Sequence, residues 1–392
     1  MQNNPQISVA RLGALASEQV TREVRSNLWP TATLNLTGVD SRDNSRITAG
    51  GLNNPIIYQR AAGGVMVNQL ITDFGRTTNL AKSASYAAKA ENQNALATKE
   101  QILLAVDQAF YGALQAHAVL TVAEQTVNTR QTLSDQVDAL FRSKLKSQLD
   151  LSFANVNLSQ AKLLLLDAQN NEDAARAALS AVLGYRNLQN FQLIEDTGAP
   201  VPPPGNVDDL ISQALLMRPE MLALGFQYQA AQKFQAAERD LFFPTIAAAG
   251  AVGDTPVRNP VLSNWYGAVG VNVAIPVFNG FLYSARSKEA HFKTQAAQER
   301  VLDLRNRISR DVRTSWLNAN AAYEKLSVTQ QLSDQAQLAL DLAQTRYNLG
   351  LSSIVELSQA QLQQTQAQIS NAQAGYDYRL ALAILNYQTT GI

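Results

Sequence analysis

The 392-residue chain has no cysteine, only two histidines and few charged side chains. Without cysteine, disulfides, thiolate nucleophiles and cysteine-ligated metal sites are excluded, and His117 and His291 are too few for a histidine-rich metal centre. Basic and acidic residues number 32 each, so the net charge is zero. Nucleic-acid-binding proteins typically carry a cluster of basic residues, and this chain has a balanced charge and no basic block. We therefore predict no metal, no cofactor and no nucleic-acid partner.

Long apolar runs are also missing, although hydrophobic residues make up 46% of the chain. No stretch approaches the roughly 18 to 20 consecutive apolar residues of a membrane-spanning helix. The first residues lack the basic and apolar regions of a signal peptide. The sequence leaves open whether the protein is exported, since an export signal could already have been removed.

The chain contains an internal duplication. Three segments recur in order: residues 28–31 (LWPT) as 242–245 (FFPT), 70–75 (LITDFG) as 275–280 (IPVFNG), and 145–152 (LKSQLDLS) as 351–358 (LSSIVELS). Between the last two markers the spacing is nearly equal in both halves. We predict one structural repeat over residues 1–200, a proline-rich surface crossover over 201–218, and a second repeat over 219–392.

Each half contains a long segment that predicts one continuous helix, at Phe74–Arg142 and Tyr283–Asn348. Neither segment contains proline, and apolar residues in the first recur three and four apart, as in a coiled-coil seam. The members of this predicted seam are Leu103, Val106, Phe110, Ala113, His117, Leu120, Glu124 and Val127. On this seam His117 is predicted to be packed or water-facing, not a metal ligand.

A tight turn and a shorter helix follow each long helix. The shorter helices carry apolar residues seven apart, which indicates a left-handed supercoil: Leu149, Val156 and Leu163 in the first, and Val355, Leu362 and Ile369 in the second. Two further helices are predicted at Pro5–Asn27 and Pro219–Leu241. Each long helix is expected to pack beside two shorter helices stacked end to end.

Between the helices the apolar period changes from 3.5 to 2, which predicts four strands: Thr31–Val39, Gln59–Leu70, Thr245–Gly253 and Trp265–Ile275. Their length suits tilted transmembrane strands, with Trp29, Trp265 and Tyr266 at strand ends as an aromatic girdle or as ordinary packing. Four strands cannot close a barrel, and an open sheet edge is forbidden in lipid. The strands therefore predict either an oligomeric barrel or a pair of soluble hairpins.

Several motifs together resemble the outer-membrane factor family, the TolC-like exit ducts of bacterial efflux pumps and type I secretion systems. They are Asn4-Pro5, Leu28-Trp29-Pro30, residues 214–221 (ALLMRPEM) and residues 346–353 (RYNLGLSS), in addition to the duplication. The resemblance implies a mainly α-helical fold with a β-barrel portion. Three chains would complete a 12-stranded barrel in the bacterial outer membrane, and long coiled-coil hairpins would continue it as an α-barrel into the periplasm.

The resemblance also implies that the helix–helix turns form periplasmic tips where the duct closes and an adaptor protein docks. The corresponding residues are Lys144, Leu145, Lys146 and Ser147 in the first turn, and Leu349, Gly350, Leu351 and Ser352 in the second. Lys144 stands where the family pattern has glycine. Ser352 stands where the family often has a basic gate residue, for which Lys144 or Lys146 could substitute.

Three residues near these turns are candidates for the gate. Asp150 and Glu356 occupy equivalent positions and would form acidic rings at a constriction. The compatible alternative is that both are first-turn acids that complement a helix dipole. Tyr347 matches a family tyrosine that helps to close the gate, or it is an interhelical packing residue.

Together with the duplication and the strand pattern, the resemblance implies a passive trimeric exit duct that works with an adaptor and an inner-membrane transporter of the RND, ABC or MFS type. No nucleotide-binding loop of the G-x-x-x-x-G-K-[ST] kind is present, so the partner would supply the energy. No acid, base and nucleophile converge in the sequence, so we do not predict an enzyme. The alternative function is a soluble periplasmic coiled-coil adaptor.

Overall fold

A computed structural model of the chain describes residues 4–39, 47–49, 52–54, 60–187, 189, 192–195, 198–254 and 263–390. The helices are α1 (Pro5–Ser26), α2 (Arg76–Arg142), α3 (Gln148–Val182), α4 (Val207–Met217), α5 (Pro219–Arg239), α6 (Leu282–Asn348) and α7 (Ile354–Thr390). The strands are β1 (Thr31–Val39), β2 (Ile47–Ala49), β3 (Leu52–Asn54), β4 (Arg60–Thr72), β5 (Thr245–Asp254) and β6 (Trp265–Ala274). None of the helices in these ranges has an apolar stretch long enough to span a membrane.

The long helices are present with bounds within two residues of the prediction. α2 and α6 each contain 67 residues, about 100 Å at 1.5 Å per residue. The four predicted strands are present as β1, β4, β5 and β6, with ends that differ by two residues or fewer. Gln59, the first residue of the second predicted strand, lies outside the described residues. The short β2–β3 pair and α4, which lies within the predicted crossover, were not predicted.

The chain forms two compact units. The first, which we call the sheet unit, comprises residues 13–92 and 223–302. Its main sheet has the strand order β1-β4-β5-β6, and all neighbouring strands are antiparallel. β1 and β6 are the two edges of this sheet. β4 belongs to the first half of the sequence and β5 to the second, so their pairing joins the two halves in one sheet.

Apolar side chains cover one face of the edge strands. Val269 and Val271 are 90% and 64% exposed in the single chain, and Leu34 and Leu36 on β1 are 66% and 77% exposed. Within each strand the two residues are two positions apart, so they lie on the same face. This alternation is the period-2 pattern expected from the sequence.

Buried alanines allow the helices of the sheet unit to approach closely. They are Ala14, Ala81, Ala88, Ala90, Ala223, Ala237 and Ala290. At these short separations small hydroxyls reach backbone carbonyls on the neighbouring helix: Ser83 Oγ donates to Ala230 O at 2.8 Å, and Thr294 Oγ1 donates to Ala231 O at 3.2 Å. Close backbone packing therefore replaces large apolar side chains over much of this unit.

The second unit, which we call the tip unit, comprises residues 1–12, 93–222 and 303–392. Here α4 packs with α6 through an apolar group that includes Ala214, Ile308 and Val312. Asn206 caps α4, since its side chain accepts from Asp208 N. Beyond α4, Arg218 Nη1 donates to Gln388 Oε1 at 2.7 Å and so ties the start of α5 to α7.

Gly253 in β5 provides a test of the strand packing. A Cβ atom at Gly253 would lie 2.6 Å from Gly63 O on β4, whereas one at Gly250 would meet only Ala268 O at 3.7 Å. We expect Gly253→Ala to destabilise the sheet by about 1–3 kcal/mol through overpacking, and the matched Gly250→Ala to leave stability within about 0.5 kcal/mol of wild type. Thermal unfolding of the detergent-purified protein, followed by tryptophan fluorescence, measures both. Equal midpoints for the two variants would contradict the observed pairing of β4 with β5.

Candidate functional site

Two turns at one end of the tip unit have the same backbone conformation. The first tip turn is residues 143–147, between α2 and α3, and the second is residues 349–353, between α6 and α7. Lys144 and Gly350 have φ values of 61° and 74°. The following amides close the turns: Leu145 N donates to Leu140 O and Leu351 N donates to Arg346 O, both at 2.8 Å. This is the Schellman arrangement that ends many helices.

Lys144 adopts a conformation that favours glycine. A non-glycine side chain in the left-handed region costs roughly 1 kcal/mol because its Cβ crowds the following carbonyl. The sequence predicted a departure from the family pattern at Lys144, and the structure shows that this departure does not change the turn. The difference between the two tip turns is therefore in side chains and charge.

One apolar cluster joins the four helices next to the tip turns. Its buried members are Leu133, Val137, Ala154, Ala343, Tyr347, Ile354, Leu357 and Ala360. Val137 and Leu357 are 1% and 0% exposed. Polar contacts beside the cluster also link the helices, since Asn157 Nδ2 on α3 donates to Ser358 Oγ on α7 at 2.7 Å. The two helical hairpins are thus held together close to their turns.

Asp150 forms a capping box at the start of α3. Its amide donates to Ser147 Oγ at 3.1 Å, and its Oδ2 accepts from Ser147 N at 2.9 Å. Burial opposes ionisation of Asp150, but the Ser147 hydrogen bonds and the charge of Lys146 outweigh it and lower the pKa of the carboxyl. Asp150 is therefore a first-turn acid, as one of the two sequence interpretations stated.

Glu356 has the equivalent place in α7 but a different partner. Its amide donates to Ser353 Oγ at 3.3 Å, while its side chain forms an ion pair with Arg346, with Nε and Oε1 3.2 Å apart. Sequence reasoning gave Arg346 no role. The available signal was a basic residue in the last turn of one helix and an acid in the first turn of the next.

Tyr347 lies between the two tip turns and is 3% exposed. Lys146 Nζ lies 3.8 Å from the centre of the Tyr347 ring, a close cation–π contact. Burial, and then the negative charge of Asp150, raise the pKa of Tyr347 to about 12, so its hydroxyl stays protonated. Within the described residues, Tyr347 Oη and the buried Ser352 Oγ have no hydrogen-bond partner. Of the two lysines considered as gate partners, Lys146 contacts Tyr347.

The remaining predicted site residues are exposed. In the tip turns, Leu145, Leu349 and Leu351 are 71%, 67% and 67% exposed. In the sheet unit, Trp29 is 72% exposed just before β1, and Trp265 and Tyr266 begin β6. The strand register places Trp29 and Trp265 at opposite ends of the sheet.

No group of residues in the described part of the chain could hold a metal ion. His117 Nδ1 instead lies 3.0 Å from Glu172 Oε1, which also accepts from Arg176 Nη2 at 2.7 Å.

The sequence model of one family, described as outer membrane efflux protein, matches residues 1–185 and 210–389 of the chain. The chain belongs to the outer membrane efflux protein family. Among the curated members of that family, the chain is 22% identical to outer membrane protein TolC of Escherichia coli K12, over 98% of this chain and 81% of TolC. It is 25% identical to the cation efflux system protein CusC of the same strain, over 74% of this chain and 64% of CusC.

Solved structures of outer-membrane proteins share the fold over the whole chain. The crystal structure of VceC from Vibrio cholerae matches with a TM-score of 0.85 and 17% identity, covering 100% of this chain and 94% of VceC. The open state of the MtrE channel of Neisseria gonorrhoeae matches with a TM-score of 0.81 and 20% identity, covering 100% and 86%. At these identities the likeness establishes the fold.

The lowered pKa of Asp150 predicts a pH-dependent contribution to stability. Because the folded-state pKa lies below the ordinary value of 3.8, the contribution is present above that value and is lost as the pH falls through the folded-state pKa. At neutral pH we expect Asp150→Asn to lower stability by about 0.5 kcal/mol, and at low pH the variant and wild type should converge.

Thermal melts followed by circular dichroism across this range measure the difference. Asp173→Asn, an exposed site in the interior of α3, is the matched control. A constant difference between Asp150→Asn and wild type at all pH values would contradict the capping role.

Proposed function

We propose that three copies of this chain form a passive exit duct through the bacterial outer membrane. The observation that carries this proposal is the four-stranded sheet, with two edges and an exposed apolar face. In hydrocarbon, unpaired edge amides and carbonyls each cost several kcal/mol. Pairing of β6 with β1 of a neighbouring copy satisfies both edges, and three copies give 12 strands. Trp29 and the Trp265–Tyr266 pair then lie at the two membrane interfaces.

Exposed stripes on α3 and α7 support an assembly of several copies. The residues predicted seven apart are largely exposed in the single chain: Leu149, Val156, Leu163, Val355 and Leu362 are 62%, 52%, 62%, 51% and 58% exposed. Contiguous exposed apolar surface of this kind marks an interaction surface. In the proposed trimer, α3 of one copy covers α7 of the next, which closes an α-helical barrel.

The duct serves efflux, in keeping with the family to which the chain belongs. The alternative function, a soluble adaptor, is wrong, because the relatives and the structures that share the fold are outer-membrane efflux channels. We propose that an adaptor protein and an inner-membrane transporter of the RND, ABC or MFS type supply the cargo and the energy. The exposed leucines of both tip turns, together with Lys144, Lys146 and Ser147, are the proposed adaptor contacts.

The gate is proposed to lie at the tip turns. Within each chain, Lys146 contacts Tyr347 and so links the two tips, whereas Arg346 pairs with Glu356 across the second tip turn alone. Tyr347 Oη and Ser352 Oγ have no partner in the described chain, which suits contacts with a neighbouring copy or with pore water. Three copies of Asp150 and Glu356 would give two acidic rings that favour cations.

The proposed assembly predicts that a charge on the α3 stripe prevents oligomerisation. We expect Leu163→Glu to shift the detergent-purified protein from trimer to monomer, because burying an unpaired carboxylate costs several kcal/mol. Gln169→Glu places the same charge on another side of α3 and should leave the trimer intact. Light scattering after size exclusion measures the mass. A trimeric Leu163→Glu variant would refute this interface.

The proposed gate predicts larger single-channel conductance when its contacts are removed. In planar lipid bilayers, we expect the Asp150→Asn, Glu356→Gln double variant and the Lys146→Gln variant each to conduct at least about twofold more than wild type. The double variant should also lose part of its cation preference, since the ring charges set that preference. Glu324→Gln, an exposed position of α6 far from the tips, is the control. Unchanged conductance and selectivity in both gate variants would contradict the gate assignment. Failure of the wild type to form channels would contradict the proposed duct.

A further inference from the structure

A buried arginine in the tip unit has no counter-charge. Arg130 lies on α2 and is only 8% exposed. No acidic side chain among the described residues lies within ion-pair distance of its guanidinium. Nη2 is 3.5 Å from Thr365 Oγ1 on α7, at the limit of a hydrogen bond, and Nη1 has no hydrogen-bond partner in the described part of the chain.

Two cavities adjoin this guanidinium. One, of about 190 Å³, lies between α2, α6 and α7, and the other, of about 310 Å³, lies between α2, α3 and α7. Arg130 lines both cavities and is the only charged residue among the described residues that do so. The polar remainder is made of amides and hydroxyls, including Thr126, Asn157, Ser358 and Gln361.

Arg130 does not become neutral by losing its proton. Burial lowers the pKa of Arg130 to about 10, which still leaves the side chain charged at neutral pH. A charge taken out of water without a partner is strongly unfavourable, and buried charges in proteins are paired. The site therefore contains a persistent cation, an unused N–H donor and open space beside it.

We propose that Arg130 binds a small monovalent inorganic anion, of the chloride type, in these cavities. A cavity of about 190 Å³ holds such an ion with a few waters, each of which takes roughly 30 Å³. The threonine hydroxyls there donate to backbone carbonyls, so the Ser358 hydroxyl and side-chain amide N–H groups would complete the shell without adding charge, which suits a monovalent ion. The bound anion neutralises Arg130 and connects α2 to α7. This inference rests on the tip unit alone and is independent of the proposed transport function.

The direct test uses bromide as the probe. Crystals of the detergent-purified full chain are grown in sodium bromide, and anomalous diffraction is recorded at the bromine edge. We expect an anomalous peak within hydrogen-bonding reach of Arg130 Nη1 in every copy. This experiment needs no variant, so it does not depend on whether an altered chain folds. A cavity that contains only water, without an anomalous peak, overturns the proposal.

A solution test compares chloride with gluconate, a much larger organic anion, at equal ionic strength. A ligand that binds the folded state raises the unfolding midpoint in a saturable manner. We expect wild type to show this chloride dependence. Arg130→Gln should weaken the apparent chloride affinity about tenfold or more, because it removes a charged donor. Arg130→Lys, which keeps the charge but loses the planar fork, should retain part of it. Arg305→Gln, at an exposed site on α6, should behave like wild type.

Two results would contradict the proposal. Equal chloride dependence in wild type and Arg130→Gln would show a general salt effect. A wild type indifferent to chloride, together with an Arg130→Gln variant whose oligomer is weakened, would show that a carboxylate of a neighbouring copy pairs with Arg130 instead.

Discussion

The hydrogen bonds of two sheet edges are the constraint on which the rest of this molecule depends. Each chain contributes four paired strands, β1-β4-β5-β6, and pairs β4 with β5 across the two halves of its sequence. The outer edges remain open within the chain, and lipid does not tolerate them. If the edges pair between copies, as proposed, that pairing also determines what the other exposed surfaces contact. The apolar face of the sheet meets lipid, and the heptad stripes of α3 and α7 meet neighbouring helices.

The low charge and high alanine content of the chain follow from the same architecture. Helices of 67 residues have a large surface for their volume, so large core side chains cannot all be buried. Alanine allows backbones to approach until hydroxyls such as Ser83 Oγ bond directly to a carbonyl on the next helix. Larger buried side chains, such as Val137 and Leu357, lie in the cluster next to the tip turns. That cluster supports the side chains of the proposed gate.

The sequence predicted the helices and the main strands well, but it did not predict which side chains contact one another. Long proline-free segments and a change of period identified the helices and main strands, because those signals extend over many residues. β2 and β3, with three residues each, offered too little pattern. The predicted seam of α2 was only partly correct: Glu124 and His117 are exposed, while the neighbouring row Ala123, Thr126, Arg130, Leu133 and Val137 is buried. A polar or charged residue on a buried row cannot be recognised from hydrophobicity. In the candidate site, the tip turns and the equivalence of Asp150 and Glu356 came from the repeat. The contacts of Lys146 and Arg346 required the fold.

In the gate proposed above, the contact between Lys146 and Tyr347 would couple the two hairpins of one chain. Lys146 belongs to the first tip turn, whereas Tyr347 lies on the helix before the second, so separating the tips removes the ammonium from the ring. Such a contact contributes about 0.5–2 kcal/mol, and three copies in the proposed trimer together contribute a few kcal/mol. Moving a two-state equilibrium from 1:99 to 99:1 takes about 5.5 kcal/mol. In the proposed duct, the closed population would therefore be set by a small sum of weak contacts, and a docking partner that prefers separated tips by a comparable amount would invert it without any covalent energy source.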